Sequence, residues 1–167
     1  MFVIPPADNA NEIVARLWLG NAKAAHDEAF LKSKNIYTVF NCSKDIPFHS
    51  VAKRCYRVPV DDNLRPEEIR NMELWSFETV SKLCQEYRNG ATILVHCAAG
   101  MQRSAAVVAM FLLATAKVSS DEAMAHVRSK RPIAFMPMAN FGPAIKGFER
   151  SLQKIQAEEA SNGDAKT

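Results

Sequence analysis

Residues 96–104 read His96-Cys97-Ala98-Ala99-Gly100-Met101-Gln102-Arg103-Ser104, and the segments on either side of them indicate the fold class. The apolar run ATILV at residues 91–95 precedes it and predicts a buried strand. The apolar segment at residues 104–116 follows it and predicts a helix. Open α/β sheets bind ligands where a strand passes through a loop into a helix. The stretch therefore predicts an α/β domain with a ligand-binding loop at its centre.

The loop has the composition of a phosphate-binding site that contains a nucleophile. Its successive backbone N–H groups can form a concave anion site at the positive end of the following helix. Arg103, six positions after Cys97, can bring its guanidinium over the same site and hold two phosphate oxygens. These positive groups favour the ionised thiol, so we expect a Cys97 pKa in the range of about 3.5–7.5. A thiolate beside a bound phosphate predicts covalent catalysis through a phosphocysteine. The residues expected to surround the phosphate are Ala98, Ala99, Gly100, Met101, Gln102 and Arg103.

Predicted strands and helices alternate along the rest of the chain. Short strands are predicted at residues 16–19, 36–41 and 56–60. Helices are predicted at residues 22–33, 66–88 and 119–130, and again after residue 139. The alternation is typical of an α/β fold with a mainly parallel, twisted central sheet flanked by helices. We expect an N-terminal extension at residues 1–11, one catalytic domain at 12–156 and a flexible polar tail at 157–167.

Composition restricts the function classes. The 167 residues carry a formal net charge of +3, which suits an anionic substrate but is too small to predict nucleic-acid binding. No apolar run reaches about 18 residues and the N-terminus lacks the pattern of a signal peptide, so no membrane partner is expected. The four cysteines are scattered singly, without zinc-type pairs or a disulfide framework. We expect a monomer in a reducing cytoplasmic or nuclear setting.

The loop resembles a known family signature. His-Cys-x5-Arg-Ser is the motif of the cysteine-based tyrosine and dual-specificity phosphatases, and the compact size resembles the atypical members of that family. The resemblance extends from about residue 12 to 150 and includes four further segments. These are LWLG at 17–20, VFNCS at 39–43, VPVDD at 58–62 and the stretch from Arg128 to Pro132. The resemblance implies a protein tyrosine phosphatase-like fold, and it implies no metal or cofactor.

The resemblance also implies roles for residues outside the loop interior. The leaving oxygen needs a proton, and the family pattern assigns the general acid to Asp62, with Asp61 as the alternative. Ser104 is expected to donate a hydrogen bond to the sulfur, and His96 to orient the loop and thiolate. Arg131 matches a position that can contact a second anionic group, with a solvated basic surface as the alternative. Asn140 resembles an asparagine that holds loops together.

The loop interior favours a protein substrate. It contains no lysine, whereas phosphoinositide phosphatases of this superfamily often carry basic residues there, and it lacks the Thr-His pattern of the RNA 5′-triphosphatases. No tyrosine-rich segment would deepen the pocket for phosphotyrosine alone, so phosphothreonine and phosphoserine are expected substrates too. The alternatives are a phosphatase of RNA 5′-phosphates or phosphoinositides, and a catalytically silent phosphate-binding module.

Cys42 is a candidate redox partner of Cys97. Thiolates of low pKa oxidise readily, and a neighbouring thiol could then form a protective disulfide. The alternative is that Cys42 packs as a small apolar residue.

Overall fold

A computed structural model describes residues 3–166 of the chain. Its five-stranded sheet has the order β1-β2-β5-β3-β4. The strands are β1 (Ala10–Val14), β2 (Leu17–Gly20), β3 (Ile36–Asn41), β4 (Arg54–Arg57) and β5 (Thr92–His96). β1 pairs antiparallel with β2, and the remaining pairs are parallel. The predicted mainly parallel sheet is thus confirmed.

Helices cover both faces of this sheet. They are α1 (Ala22–Ala25), α2 (Glu28–Ser33), α3 (Pro66–Arg88), α4 (Arg103–Ala116), α5 (Ser120–Lys130) and α6 (Gly142–Asp164). Alternation along the strands divides the core, because successive side chains point to opposite faces. Leu94 belongs to a small cluster with Leu31 of α2, whereas Ile93 and Val95 belong to the larger cluster under α3–α6.

Local sequence explains where several of these helices begin and end. Pro66 starts α3, where its missing N–H costs no hydrogen bond. α5 begins with a capping box, in which the Ser119 side chain accepts from the backbone N–H of Glu122 and the Glu122 side chain accepts from that of Ser119. The single helix predicted at residues 22–33 is instead two helices, because the Asp27 side chain accepts a hydrogen bond from the N–H of Phe30 and caps a second start.

Three boundaries differ from the prediction. β1 begins at Ala10, inside the segment assigned to an N-terminal extension, and pairs with Gly20. β4 covers Arg54–Arg57 rather than residues 56–60. α6 continues to Asp164, through the segment predicted as a flexible tail; residues 157–160 read AEEA, which favours helix without burial, while the exposed last turn reads SNGD.

This topology places the carboxyl end of β5 between β2 and β3. Residues 97–102 lie there, between the end of β5 and the start of α4. The phosphate-binding loop of the sequence prediction is therefore at the centre of the sheet edge. None of the helices in the described part of the chain is both long and apolar enough to cross a membrane.

Candidate active site

A cleft opens at the carboxyl edge of the sheet, above the loop that follows β5. Its lining residues are Asp62, Cys97, Ala98, Ala99, Met101, Gln102, Arg103, Met136 and Asn140. The structure thus brings together the predicted nucleophile, the phosphate loop and the predicted acid. Asp62 comes from the segment between β4 and α3, and Asn140 from the segment before α6.

Cys97 is buried at the base of this cleft, with only 2% of its surface exposed. Its Sγ lies 3.1 Å from Ser104 Oγ. Burial alone would raise the pKa of the Cys97 thiol, but several groups oppose it. The Ser104 hydroxyl, the backbone N–H groups of Ser104 and Gly100, and the charge of Arg103 together lower the Cys97 pKa below its ordinary value. The thiol is therefore prepared to ionise without a neighbouring general base.

The backbone carbonyls of residues 98–101 bind donors outside the loop. Ala22 N–H donates to Ala98 O at 3.0 Å and Phe135 N–H donates to Met101 O at 2.8 Å. Arg131 binds the carbonyls of the two intervening residues: its Nη2 donates to Ala99 O at 3.2 Å and its Nε donates to Gly100 O at 2.8 Å. Within a peptide unit the C=O and N–H groups point in opposite directions. Since the carbonyls of residues 98–101 point towards these donors, the N–H groups of residues 99–102 point the other way, towards the anion site.

Gly100 allows the loop to approach the strand behind it. Its φ is +66°, a region that favours glycine. A Cβ at this position would lie 2.5 Å from the carbonyl oxygen of Gly20, at the end of β2. No side chain fits between the loop and the sheet at this point.

Arg131 does not contact the cleft, so its prediction as a second anion contact is wrong. Its side chain is completely buried behind the loop. Besides the two loop carbonyls, Nη1 donates to Asp8 O and Asn11 Oδ1, both at 2.8 Å. The solvated alternative is wrong as well, since α5 ends at Lys130 and the extended backbone of Arg131 turns the side chain inwards. Burial lowers the pKa of Arg131 from its usual value.

Arg103 lies at the first position of α4 and is half-buried. Its Nη1 donates to Val60 O at 3.1 Å, which ties the guanidinium to the segment that carries Asp62. Its Nε is buried and has no hydrogen-bond partner among the described residues. The guanidinium therefore keeps a donor that the protein does not use.

His96 is completely buried at the end of β5. Its Nδ1 lies 3.3 Å from the carbonyl oxygen of Cys97, while Nε2 has no partner in the part of the chain described. Burial lowers the pKa of His96 to about 4. The ring is therefore neutral near pH 7, with Nδ1–H as the donor, and it contacts the backbone of the nucleophile rather than its sulfur.

The two aspartates after β4 have different partners. Asp61 forms an ion pair with Lys44 at 3.2 Å, and its backbone N–H donates to Glu68. Asp62 is exposed at the rim of the cleft, where its Oδ1 accepts a hydrogen bond from Asn140 Nδ2 at 3.0 Å. Of the two candidates for the acid, Asp62 is the one that faces the cleft.

Gln102 and Cys42 are buried neighbours of the site. The side chain of Gln102, expected among the phosphate-binding residues, instead binds the segment at residues 136–140 within the protein. Cys42 follows β3, and its N–H donates to His96 O at 2.7 Å, so its backbone runs beside that of Cys97. Burial raises the pKa of Cys42 well above its usual value, and both cysteines are unpaired.

No group of three or more histidine, cysteine or acidic side chains in the described ranges is arranged to hold a metal ion.

Comparison with known proteins agrees with this geometry. The family model described as the dual specificity phosphatase catalytic domain matches residues 17–151. The chain belongs to the dual specificity phosphatase family. This phosphatase is 31% identical over 148 residues to dual specificity protein phosphatase 1 of Arabidopsis thaliana, covering 87% of this chain and 72% of that protein. It is 27% identical over 160 residues to human dual specificity protein phosphatase 8, covering 95% of this chain but 25% of that protein.

A solved structure supports the same assignment. The crystal structure of human DUSP28 matches this phosphatase with a TM-score of 0.78 and 27% identity, covering 90% of this chain and 99% of the other. The predicted resemblance to the compact, atypical dual specificity phosphatases is therefore confirmed. Membership of the family makes this chain a cysteine-based phosphatase, a hydrolase of phosphoric monoesters.

Proposed function

We propose that the phosphatase hydrolyses phosphotyrosine and phosphothreonine or phosphoserine in proteins through a phosphocysteine intermediate. The observation that carries this proposal is the surroundings of Cys97. A buried sulfur of lowered pKa lies 3.1 Å from the Ser104 hydroxyl and accepts from the backbone N–H groups of Gly100 and Ser104. Dual specificity phosphatases are the family to which the chain belongs. The assignment of individual catalytic roles below is part of the proposal.

The first step transfers the phosphoryl group to the enzyme. The Cys97 thiolate attacks phosphorus as the bond from phosphorus to the substrate oxygen breaks, and the Asp62 carboxyl group gives its proton to that oxygen. The N–H groups of residues 99–102 and the unused Nε–H of Arg103 stabilise the charge on the equatorial oxygens. The alcohol or phenol leaves, and the phosphoryl group remains on sulfur.

The second step releases phosphate. Asp62, now ionised, takes a proton from a water molecule as that water attacks phosphorus, and the bond from sulfur to phosphorus breaks. The Ser104 hydroxyl donates to the departing sulfur, which stabilises the returning thiolate. His96 is neutral and contacts only the Cys97 carbonyl among its loop neighbours, so we assign it an orienting role.

The mouth of the cleft supports the choice of substrate. Ala98 and Ala99 are both exposed, so the loop presents two small uncharged side chains beside the phosphate. Apart from Arg103, residues 97–104 include no basic side chain that could grip a second phosphate. A shallow rim admits the short phosphothreonine and phosphoserine side chains as well as phosphotyrosine.

The remaining expectations belong to the same proposal. We expect the phosphatase to act on phosphorylated signalling proteins as a monomer, without nucleic acid or membrane. A cytoplasmic or nuclear location suits its chemistry, because an ionised Cys97 stays active only where thiols are kept reduced. Size-exclusion chromatography with light scattering would measure the oligomeric state.

The decisive experiment is hydrolysis of a substrate panel by the wild type and by C97S, D62N and D61N. The panel contains phosphotyrosine and phosphothreonine peptides, a phosphoinositide and a 5′-triphosphorylated RNA. We expect both peptides to be the best substrates and C97S to be inactive. D62N should lose about 10²–10⁴-fold on the peptides, the usual contribution of a general acid. D61N is the matched control and should stay within a few-fold of the wild type.

The other possible outcomes would each change one part of this proposal. A preference for RNA or lipid by orders of magnitude would refute the protein substrate while retaining the nucleophile. Tight phosphopeptide binding without any phosphate release would identify a silent binding module. A large loss in D61N with an unaffected D62N would move the acid to Asp61.

A further inference from the structure

Gln102 is a buried polar residue of the phosphate loop whose side chain binds another segment of the protein rather than the anion site. It is the last residue before Arg103 and is 5% exposed. Its amide nitrogen donates to Met136 O at 3.0 Å and to Met138 O at 2.9 Å. Its amide oxygen accepts from the backbone N–H of Asn140 at 2.9 Å. Both ends of the amide thus bind a single segment, residues 136–140.

These three bonds determine the orientation of the amide. A rotation by 180° would set the NH₂ group against the N–H of Asn140 and the oxygen against two carbonyls, leaving buried groups unsatisfied. The segment is thereby held in one register against the phosphate loop. Asn140 is at the end of it, immediately before the residues that lead into α6.

Asn140 connects this segment to Asp62, the proposed acid. Its side-chain Nδ2 donates to Asp62 Oδ1 at 3.0 Å, across 78 residues of sequence. Asp62 itself is exposed, on a segment without regular secondary structure, so its direction depends on such contacts. The bond occupies Oδ1 as an acceptor and leaves Oδ2 to carry the proton that the leaving group receives.

We propose that Gln102 is a positioning residue for the general acid, acting through Asn140 on Asp62. The inference rests on the proposed function, in which Asp62 protonates the leaving oxygen. In the proposed mechanism Arg103, the next residue in sequence, binds the phosphate. The contacts from Gln102 through Asn140 to Asp62 therefore fix the distance between the acid and that phosphate. Proton transfer needs such alignment, since displacements of about 1 Å cost about 100-fold in rate.

The alternative is that Gln102 only braces the phosphate loop. The two roles differ in their dependence on the leaving group. A brace supports phosphate binding and attack for every substrate, whereas an acid matters only when the leaving oxygen is basic. An aryl phosphate with a strongly acidic phenol departs without a proton, while phosphotyrosine, whose phenol has a pKa of about 10, does not.

The test compares Q102M with the wild type on a phosphotyrosine peptide and on an activated aryl phosphate. Methionine keeps the length of the side chain and removes its hydrogen bonds. We expect kcat/KM on the peptide to fall about ten-fold, part of the usual contribution of a general acid, with less than about three-fold loss on the activated substrate. Inhibition by inorganic phosphate should change little, because the substitution keeps the backbone N–H of residue 102 and the side chain binds residues 136–140 rather than the anion. Q85M, the same substitution at an exposed position of α3, is the matched control.

A double-mutant cycle strengthens the test. In a D62N background, Q102M should cause no further loss on the peptide, because the acid that it positions is already gone. N140S, at a less buried site, removes the contact with Asp62 and should reproduce the selective loss. If it does not, the positioning role is refuted, whether or not Q102M folds.

Equal losses on both substrates, weaker inhibition by phosphate, or additive effects of Q102M and D62N would overturn the positioning role. Those results would leave the proposed function intact, because the wild type would still hydrolyse both substrates. If the wild type hydrolyses neither, the proposed function fails, and this inference fails with it.

Discussion

Replacing Gly100 by alanine tests whether the phosphate loop depends on its close approach to the sheet. The substitution has two costs. A residue with a Cβ at a φ of +66° pays about 1–2 kcal/mol for the left-handed region. The new Cβ would also lie 2.5 Å from the Gly20 oxygen, so the two must separate by about 0.9 Å to reach ordinary contact at 3.4 Å. Forcing packed backbone apart typically costs a further ~1–3 kcal/mol.

Urea denaturation would measure the first consequence, and inhibition by inorganic phosphate the second. We expect G100A to lose about 2–5 kcal/mol of unfolding free energy, the combined range of the two costs. We also expect at least about ten-fold weaker phosphate inhibition, because a displaced Gly100 turns its N–H away from the anion, and one charge-assisted hydrogen bond contributes about 1.5–3 kcal/mol.

Gly90 supplies the matched control. Its φ is +90°, but a Cβ there would meet no atom within 4 Å. G90A therefore carries the backbone cost without the steric one, and it lies far from the cleft in the turn after α3. If G100A is no less stable than G90A and keeps wild-type inhibition by phosphate, the loop tolerates the Cβ and our account of its packing is wrong.

The other predictions concern groups around the same loop. As pH falls from 6.5 towards 4, His96 takes up a proton in the unfolded state but not in the folded state, so the free energy of unfolding should fall. H96N should reduce this pH dependence in urea denaturation, and an unchanged pH dependence would contradict the lowered pKa. S104A should raise the pKa of Cys97, so alkylation by iodoacetamide at acidic pH should slow, and phosphocysteine should accumulate in a burst; wild-type rates in both assays would reject the Ser104 contact. Peroxide should form a disulfide between Cys42 and Cys97, and dithiothreitol should then restore the activity of the wild type, whereas C42S should lose its activity irreversibly to peroxide. Loss of wild-type activity that dithiothreitol cannot restore would refute the pairing. R131K cannot reach both loop carbonyls and should weaken phosphate inhibition about ten-fold, the effect of one or two lost hydrogen bonds; unchanged inhibition would show that Arg131 is not needed.

The chemistry of the site was predictable because it is local in sequence. Residues 96–104 are consecutive, so a loop that closes between a strand and a helix must bring Ser104 back to Cys97. The proposed general acid, Asp62, is 35 residues before Cys97, and spacing alone did not distinguish it from Asp61. The resemblance favoured Asp62, and the Lys44 ion pair of Asp61 now gives a physical reason for that choice.

The prediction failed where the local pattern was weak. β1 reads ANEIV and buries only Ile13, so it has neither the alternation nor the apolar content of a predicted strand. Arg131 ends a run of basic residues whose other members, Arg128 and Lys130, are exposed as such a run indicates. Its own burial depends on carbonyls from Asp8 and the loop, which no window of sequence around it contains.

The same reasoning applies to the geometry of the phosphate loop itself. The motif supplies the N–H groups, but their direction depends on where the carbonyls of residues 98–101 are held. Those carbonyls bind Ala22, Arg131 and Phe135, which lie between 31 and 76 residues away from their partners. Each donor that binds one of these carbonyls turns the N–H of the same peptide unit towards the anion. The orientation of the dipoles that bind phosphate is therefore a property of the whole fold, and substitutions behind the loop can weaken anion binding without touching the anion.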